Sequence, residues 1–449
     1  MQGTHGEVIE NEALMRLRCA WVLLIGAVLA ACPPIRAQFS DPQDQLALTG
    51  GQIYSAPGAN PVPNGVVLIS GGKITAVGEA GKIKIPSNVK KIDFAGKSLL
   101  AGLWNAHVHF IEPKWDNAAH LPGGQLTRDV QEMLTQYGFT SVVDTGSGLE
   151  NTSALRRRIE TGEVAGPRIL TAGMILFPQH GLPYYVTESL PAEVVNKFRE
   201  GEVSTPADAV RLVDKQIGDG ADIVKLYVVS FVRIAGQIRP YPMPLSIIKA
   251  ATEEAHRKGK LVFAHASTPE GIRLALDGNV DVLAHAIEEP EGWNDSLAAR
   301  LNSAHMTLIP TLTLFSVASD FNLIMNEVKG YQNIGGQLMF GTDIGYLTDY
   351  KTLTKEYLYL QRAGLTFPHI LAALTTTPAS RLGYGDRTGQ IKAGMDADLT
   401  LLDRATSLDL DAFSRICLTV RQGRIIYQAK TFRASGQPTA SPNQRQEQN

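Results

Sequence analysis

Short apolar runs alternate with stretches of helical period through the middle of this chain. The runs cover 99–110, 141–144, 168–171, 222–227, 261–265, 280–285, 308–311 and 338–343. Each is four to twelve residues long and bounded by polar or turn-forming residues, the signature of a strand. Between them, 205–217 carries apolar residues at helical spacing, with Thr205 as N-cap and Pro206 at the first helical position. The segment 246–258 has the same period. Strands alternating with helices predict a parallel sheet, and eight of them predict a (β/α)₈ barrel over 99–387.

The ends of the chain have a different texture. Strand-like pieces at 65–70, 72–78 and 89–93 are separated only by turns, and the pattern returns at 398–403 and 416–427. We expect one small β-sandwich built from 46–98 together with 388–430. The tail at 432–449 is polar and is expected to be disordered.

Composition narrows the function classes. A chain of 449 residues with 44% apolar content has material for a barrel of about 250 residues plus an accessory domain. Its net charge of −2, with no basic stripe, excludes a strong electrostatic pull toward nucleic acid. The segment from Met15 to Arg18 is basic, and 21–31 is an apolar run too short to span a bilayer. Those are the proportions of an export leader over 1–37, with Met15 as the start of translation. Leu29-Ala-Ala-Cys32 reads as a lipoprotein cleavage box that would leave a lipid anchor at Cys32, while Ala37 offers an ordinary cleavage site instead. Either leads to a protein outside the cytoplasm, in the bacterial periplasm or held at a membrane. Cys417 is the one thiol of the body, so no disulfide framework stabilises it.

The chemistry sits at the strand ends. His107 and His109 close the first run, and alternate residues of a strand project to one side. Neutral imidazole is the commonest metal ligand, although two histidines at a strand end are by themselves equally a solvated pair. A barrel places its functional groups at the C-terminal ends of its strands. Those ends also carry Lys225, His265, His285 and Asp343. Six metal-compatible residues, each following an apolar run, are not an accident of composition. His180, in the loop after the third run, is either a substrate contact or a solvated histidine. Tyr227, two residues beyond Lys225, is either a substrate contact or a barrel-layer residue.

With these residues in view, the chain resembles the amidohydrolase superfamily, in its imidazolonepropionase-like and Xaa-Pro dipeptidase-like branch. The matching stretches are Leu100-Ala-Gly-Leu-Trp-Asn-Ala-His-Val-His109, Ala221-Asp-Ile-Val-Lys-Leu-Tyr227, Phe263-Ala-His-Ala266, Leu283-Ala-His-Ala286, Gly341-Thr-Asp343 and Gly394-Met-Asp-Ala-Asp-Leu399. The resemblance implies two divalent metal ions, usually zinc. His107, His109 and Asp343 would hold one and His265 and His285 the other, with Lys225, carboxylated by CO₂, bridging them. An unmodified lysine there would instead be a buried cation paired with an acid. The implied reaction is hydrolysis of an amide or peptide C–N bond by metal-activated hydroxide, with Asp343 moving the proton, on a dipeptide-like or other small-molecule substrate. A cyclic amide, a lactone or a phosphotriester is the alternative on the same site. A non-catalytic binding or assembly module on the same fold is the alternative of another class, and association into a homo-oligomer stays open. Only about 25 residues separate the last two strands, which predicts a short rim segment and an open pocket.

Overall fold

The structure, a computed structural model, describes residues 45–286, 292–403 and 410–432. The expected leader, Cys32 and nearly all of the expected tail lie outside the described residues. Among the described residues, no helix is long and apolar enough to cross a membrane.

Eight short strands follow the sequence order: β1 (Leu103–Val108), β2 (Phe139–Asp144), β3 (Arg168–Thr171), β4 (Val224–Tyr227), β5 (Val262–His265), β6 (Val282–Ala284), β7 (Thr307–Ile309) and β8 (Gln337–Leu338). They form two parallel sheets, β1-β2-β3 and β4-β5-β6-β7-β8. Backbone hydrogen bonds link the sheets on both sides. Between β3 and β4, Asp222 N donates to Thr171 O at 2.7 Å and Tyr227 N to Leu176 O at 2.8 Å. Between β8 and β1, Ala106 N donates to Phe340 O at 2.7 Å and His109 N to Ile344 O at 2.8 Å. Nearly every strand residue is buried, because helices cover one face and an apolar cluster fills the other. Trp104, Val143, Leu170, Phe263, Val282, Ile309 and Met339 belong to that cluster, contributed by successive strands.

The helix expected at 205–217 is Pro206–Gly218, and Thr205 caps it with a full capping box: its hydroxyl accepts from Asp208 N while Asp208 accepts from Thr205 N. Thr205→Ala is expected to cost about 1 kcal/mol in chemical denaturation with an unchanged slope, since only the cap is lost.

Strand boundaries differ from the pattern in instructive ways. The run 99–110 divides at Gly102 into Ser98–Ala101 and β1, because the Gly102 N–H turns to Asp398 O at 2.7 Å. The run 416–427 divides into Ile416–Arg421 and Arg424–Gln428, turned by Gln422 and Gly423 with φ of 47° and 75°. The final run is regular only over Gln337–Leu338, and the chain then bends to reach Asp343. A hairpin of Val229–Ile234 and Gln237–Pro242, which the pattern did not predict, follows β4 and turns at Ala235-Gly236.

Strands from the two chain ends do pair. Ser98–Ala101 lies antiparallel to Leu399–Leu402 in a five-stranded sheet, and Gly65–Ser70 is central to a four-stranded one. Leu48, Ile53, Val67, Leu401 and Leu418 from both sheets share one apolar cluster with Phe94.

Candidate functional site

His107 and His109 reach the same place from the end of β1, but strict alternation is not what takes them there. Trp104 and Ala106 already lie in the apolar cluster, so regular pleating would send His107 to the opposite face. A register shift in the β1–β2 pairing between Asn105 and Val108 marks a bulge that re-aims the strand end. Their Nε2 atoms then stand 3.2 Å apart. Asp343 Oδ1 lies 3.2 Å from His107 Nε2 and 3.0 Å from His109 Nε2. The three ligand atoms fall within 4.8 Å of one another, and all three residues are buried. Gly341 permits this approach. A Cβ there would sit 2.8 Å from His107 Cβ and closer still to the Ile309 side chain.

The other strand ends converge on the same point. The His285 ring is 4.6 Å from that of His107 and 4.9 Å from that of His265. Tyr227 stacks on His265 with centroids 4.2 Å apart, and its hydroxyl meets that of Tyr185 at 3.0 Å. Tyr227 therefore spends its ring face on a histidine. Lys225 is buried and makes no ion pair or hydrogen bond among the described residues; Asp343 is the acid that acts on it electrostatically. His180 joins none of these contacts: it is exposed, with φ of 61°, in the turn after Phe177–Pro178.

Hydrogen bonds set two of the tautomers. His109 Nδ1 lies 2.7 Å from Gly146 O, a carbonyl that only accepts, so Nδ1 carries the proton. His285 Nδ1 lies 2.8 Å from Thr311 Oγ1, whose own proton goes to Pro310 O at 2.9 Å; Nδ1 must donate here too. Both Nε2 atoms are left as bare lone pairs. Burial, and then Lys225, pushes His107 and His265 down to about 3, and burial with His107 holds His285 well below the usual range. These imidazoles are neutral at pH 7, which is the ligating form. Burial by itself would raise the Asp343 carboxyl, but His107, foremost of the facing imidazoles, outweighs it and keeps the group well below the usual carboxylate range. Burial brings the Lys225 amine down to about 7.

The donor set fits a divalent cation. An ionised carboxylate oxygen and a bare imidazole nitrogen 3.0 Å apart repel each other unless something positive lies between them. Asp343 Oδ1 and His265 Nδ1 are buried without a hydrogen-bond partner, as unspent ligand atoms would be. The backbone is strained at the same place. His285, Thr311 and Asp343 have φ of 96°, 46° and 58°, each costing roughly 1–3 kcal/mol and persisting only where the surroundings enforce it.

Sequence reasoning passed over the groups that orient these ligands. Asp144 ends β2 and its carboxylate accepts from Ser147 Oγ at 2.6 Å, Thr171 Oγ1 at 2.7 Å and Gly146 N at 3.2 Å, which aims the Gly146 carbonyl at His109. The rule that found the ligands, an ionisable residue closing an apolar run, would have found it. Tyr346, edge-on to His109 at 4.6 Å, and Thr311 carry no comparable signal. The Arg233 guanidinium is taken by Glu188 at 2.6 Å, away from the cluster.

Comparison with known proteins places the chain in a family. Ochratoxinase of Aspergillus niger is 26% identical over 358 residues, spanning 70% of this chain and 72% of that protein. Imidazolonepropionase of Thermoplasma acidophilum is 22% identical over 395 residues, 81% of this chain and 89% of the other. Among solved structures, a Xaa-Pro dipeptidase with methionine bound in its active site superposes with a TM-score of 0.71 at 21% identity, over 86% of this chain and all of that one. Residues 98–432 match the model of the amidohydrolase family, about three quarters of the sequence. Because that span holds all eight parallel strands and every one of the six clustered side chains, the chain belongs to the amidohydrolase family.

Proposed function

We propose that this protein is an exported, metal-dependent hydrolase of amide C–N bonds, with dipeptides or N-acyl amino acids as its substrate class. In this reading the eight strands close into a (β/α)₈ barrel, and the paired end segments form a β-sandwich beside it. The observation that carries the proposal is the trio of His107, His109 and Asp343, whose ligand atoms stand 3.0–3.2 Å apart. The family itself, and the likeness to a Xaa-Pro dipeptidase, support the same chemistry.

His107, His109 and Asp343 would hold one ion and His265 and His285 a second, with Lys225 between them as a carbamate. Divalent ions there would lower the pKa of a water toward about 7 and polarise the scissile carbonyl. The residues do the rest. Asp343 has Oδ1 committed toward the two imidazoles, which leaves Oδ2 to take a proton from the attacking water and return it to the departing nitrogen. Gly146 O and Thr311 Oγ1 hold His109 and His285 in the tautomer that presents Nε2. Among the described residues Lys225 makes no ion pair or hydrogen bond, although Asp343 acts on it electrostatically. As a free amine it can add CO₂, forming an N–C bond and releasing one proton, and so become an anionic oxygen donor.

Metal analysis of purified protein is expected to give close to two divalent ions per chain. A reproducible value near one would overturn the binuclear assignment. A library of dipeptides and N-acyl amino acids, with lactams and lactones as competing arms and chelator controls, tests the substrate class. Fractionation of cells tests export: protein confined to the cytosol would refute it.

Weakening the support under His109 should also be measurable. Asp144→Asn keeps the shape of the side chain but replaces an acceptor oxygen by a donor facing Ser147, Thr171 or Gly146. Metal affinity is expected to fall roughly 10-fold, read by competition with a chromophoric chelator.

A further inference from the structure

We infer that Glu356 is a positioning residue, which clamps the turn after β7 so that Thr311 holds the His285 imidazole in its ligating tautomer. This inference rests on the metal-centre reading above.

Glu356 lies on the helix Leu353–Arg362, is completely buried and, among the described residues, forms no hydrogen bond or ion pair with any of the six clustered side chains. Its carboxylate faces the start of the short helix Leu312–Phe315, where the first N–H groups have no partner within the helix. Oε1 accepts from Leu312 N at 2.8 Å. Oε2 accepts from Thr313 N at 2.7 Å and from Thr313 Oγ1 at 2.8 Å. Only an acceptor with two oxygens satisfies all three donors.

The residue immediately before this clamp is Thr311, in the left-handed region at φ 46°. A β-branched residue does not adopt that conformation unaided. With Leu312 and Thr313 held by their N–H groups, Thr311 has little room to relax. Its hydroxyl then lies where it can accept from His285 Nδ1 and donate to Pro310 O. The sequence of effects runs from carboxylate to turn, from turn to hydroxyl, and from hydroxyl to imidazole. Glutamine at 356 would break the first link. It offers one oxygen, and its NH₂ would confront a backbone N–H.

Zinc titration of the metal-free, full-length protein against a chromophoric chelator tests this without reference to turnover. Glu356→Gln and Thr311→Val are each expected to weaken zinc binding roughly 10-fold. Because both act through the same imidazole, the double variant is expected to bind no more weakly than either single one. A purely structural Glu356 would give losses that multiply, and that result, or wild-type affinity in Glu356→Gln, overturns the inference. Should Glu356→Gln not fold, Thr313→Val carries the test, since it removes one donor and leaves the carboxylate. A loss of about threefold that vanishes in the Thr311→Val background is expected, and an unchanged affinity overturns the inference. Wild-type protein that binds no zinc would refute the metal centre itself, an outcome distinct from all of these.

Discussion

Replacing Asp343 by Asn is expected to lower kcat by about 10³-fold or more, the scale of losing a general acid–base. The substitution keeps the size and the planar shape of the side chain but removes its charge. That charge is strongly used here: Asp343 Oδ1 sits within 3.2 Å of two imidazole nitrogens, one of which is a bare lone pair. Asparagine can neither balance a cation at that point nor accept a proton at Oδ2. The left-handed backbone at 343 favours the outcome as a clean test, because Asn tolerates positive φ as well as Asp does. The melting temperature should therefore stay close to that of the parent while turnover collapses. A variant retaining more than about a tenth of parental kcat would remove Asp343 from the reaction.

Lys225→Ala is expected to produce the second large effect, a loss of at least about 10²-fold in activity together with a drop in bound metal. Truncation would delete the donor proposed to bridge the two ions and leave a gap of matching length. Short carboxylic acids such as propionate should fill that gap and restore part of both quantities. Full activity and full metal content in the variant without added acid would show that Lys225 bridges nothing. Its burial without an ion pair would then have to be explained by packing alone.

These two residues also show how far the chain could be read before any coordinates. Asp343 closes an apolar run and Lys225 lies two residues before the end of one, and the end of a strand in a parallel α/β arrangement is where chemistry collects. His265 and His285 were legible for the same reason. The Thr205 cap was legible too, since capping is a matter of residues three apart. Less was visible at the run 99–110, where one apolar stretch serves two different sheets and only the Gly102 bond to Asp398 reveals the break. The hairpin after β4 is hard to see in the pattern because its second strand, Gln237–Pro242, is largely exposed and carries two prolines, while the first runs on from the buried residues of β4.

The amino-acid sequence by itself determined which residue types stand at the ends of which strands, and hence the inventory of imidazoles, carboxylate and amine. Hydrophobic period carries that information because it depends on near neighbours along the chain. Only the tertiary structure decided how the inventory is used. The bulge between Asn105 and Val108 is set by pairing with β2, the tautomer of His109 by a carbonyl 37 residues away, and that of His285 by a hydroxyl 26 residues away. Periodicity specifies a face and not a distance. The separations of 3.0–3.2 Å that make a ligand set of these side chains exist only once remote segments have packed.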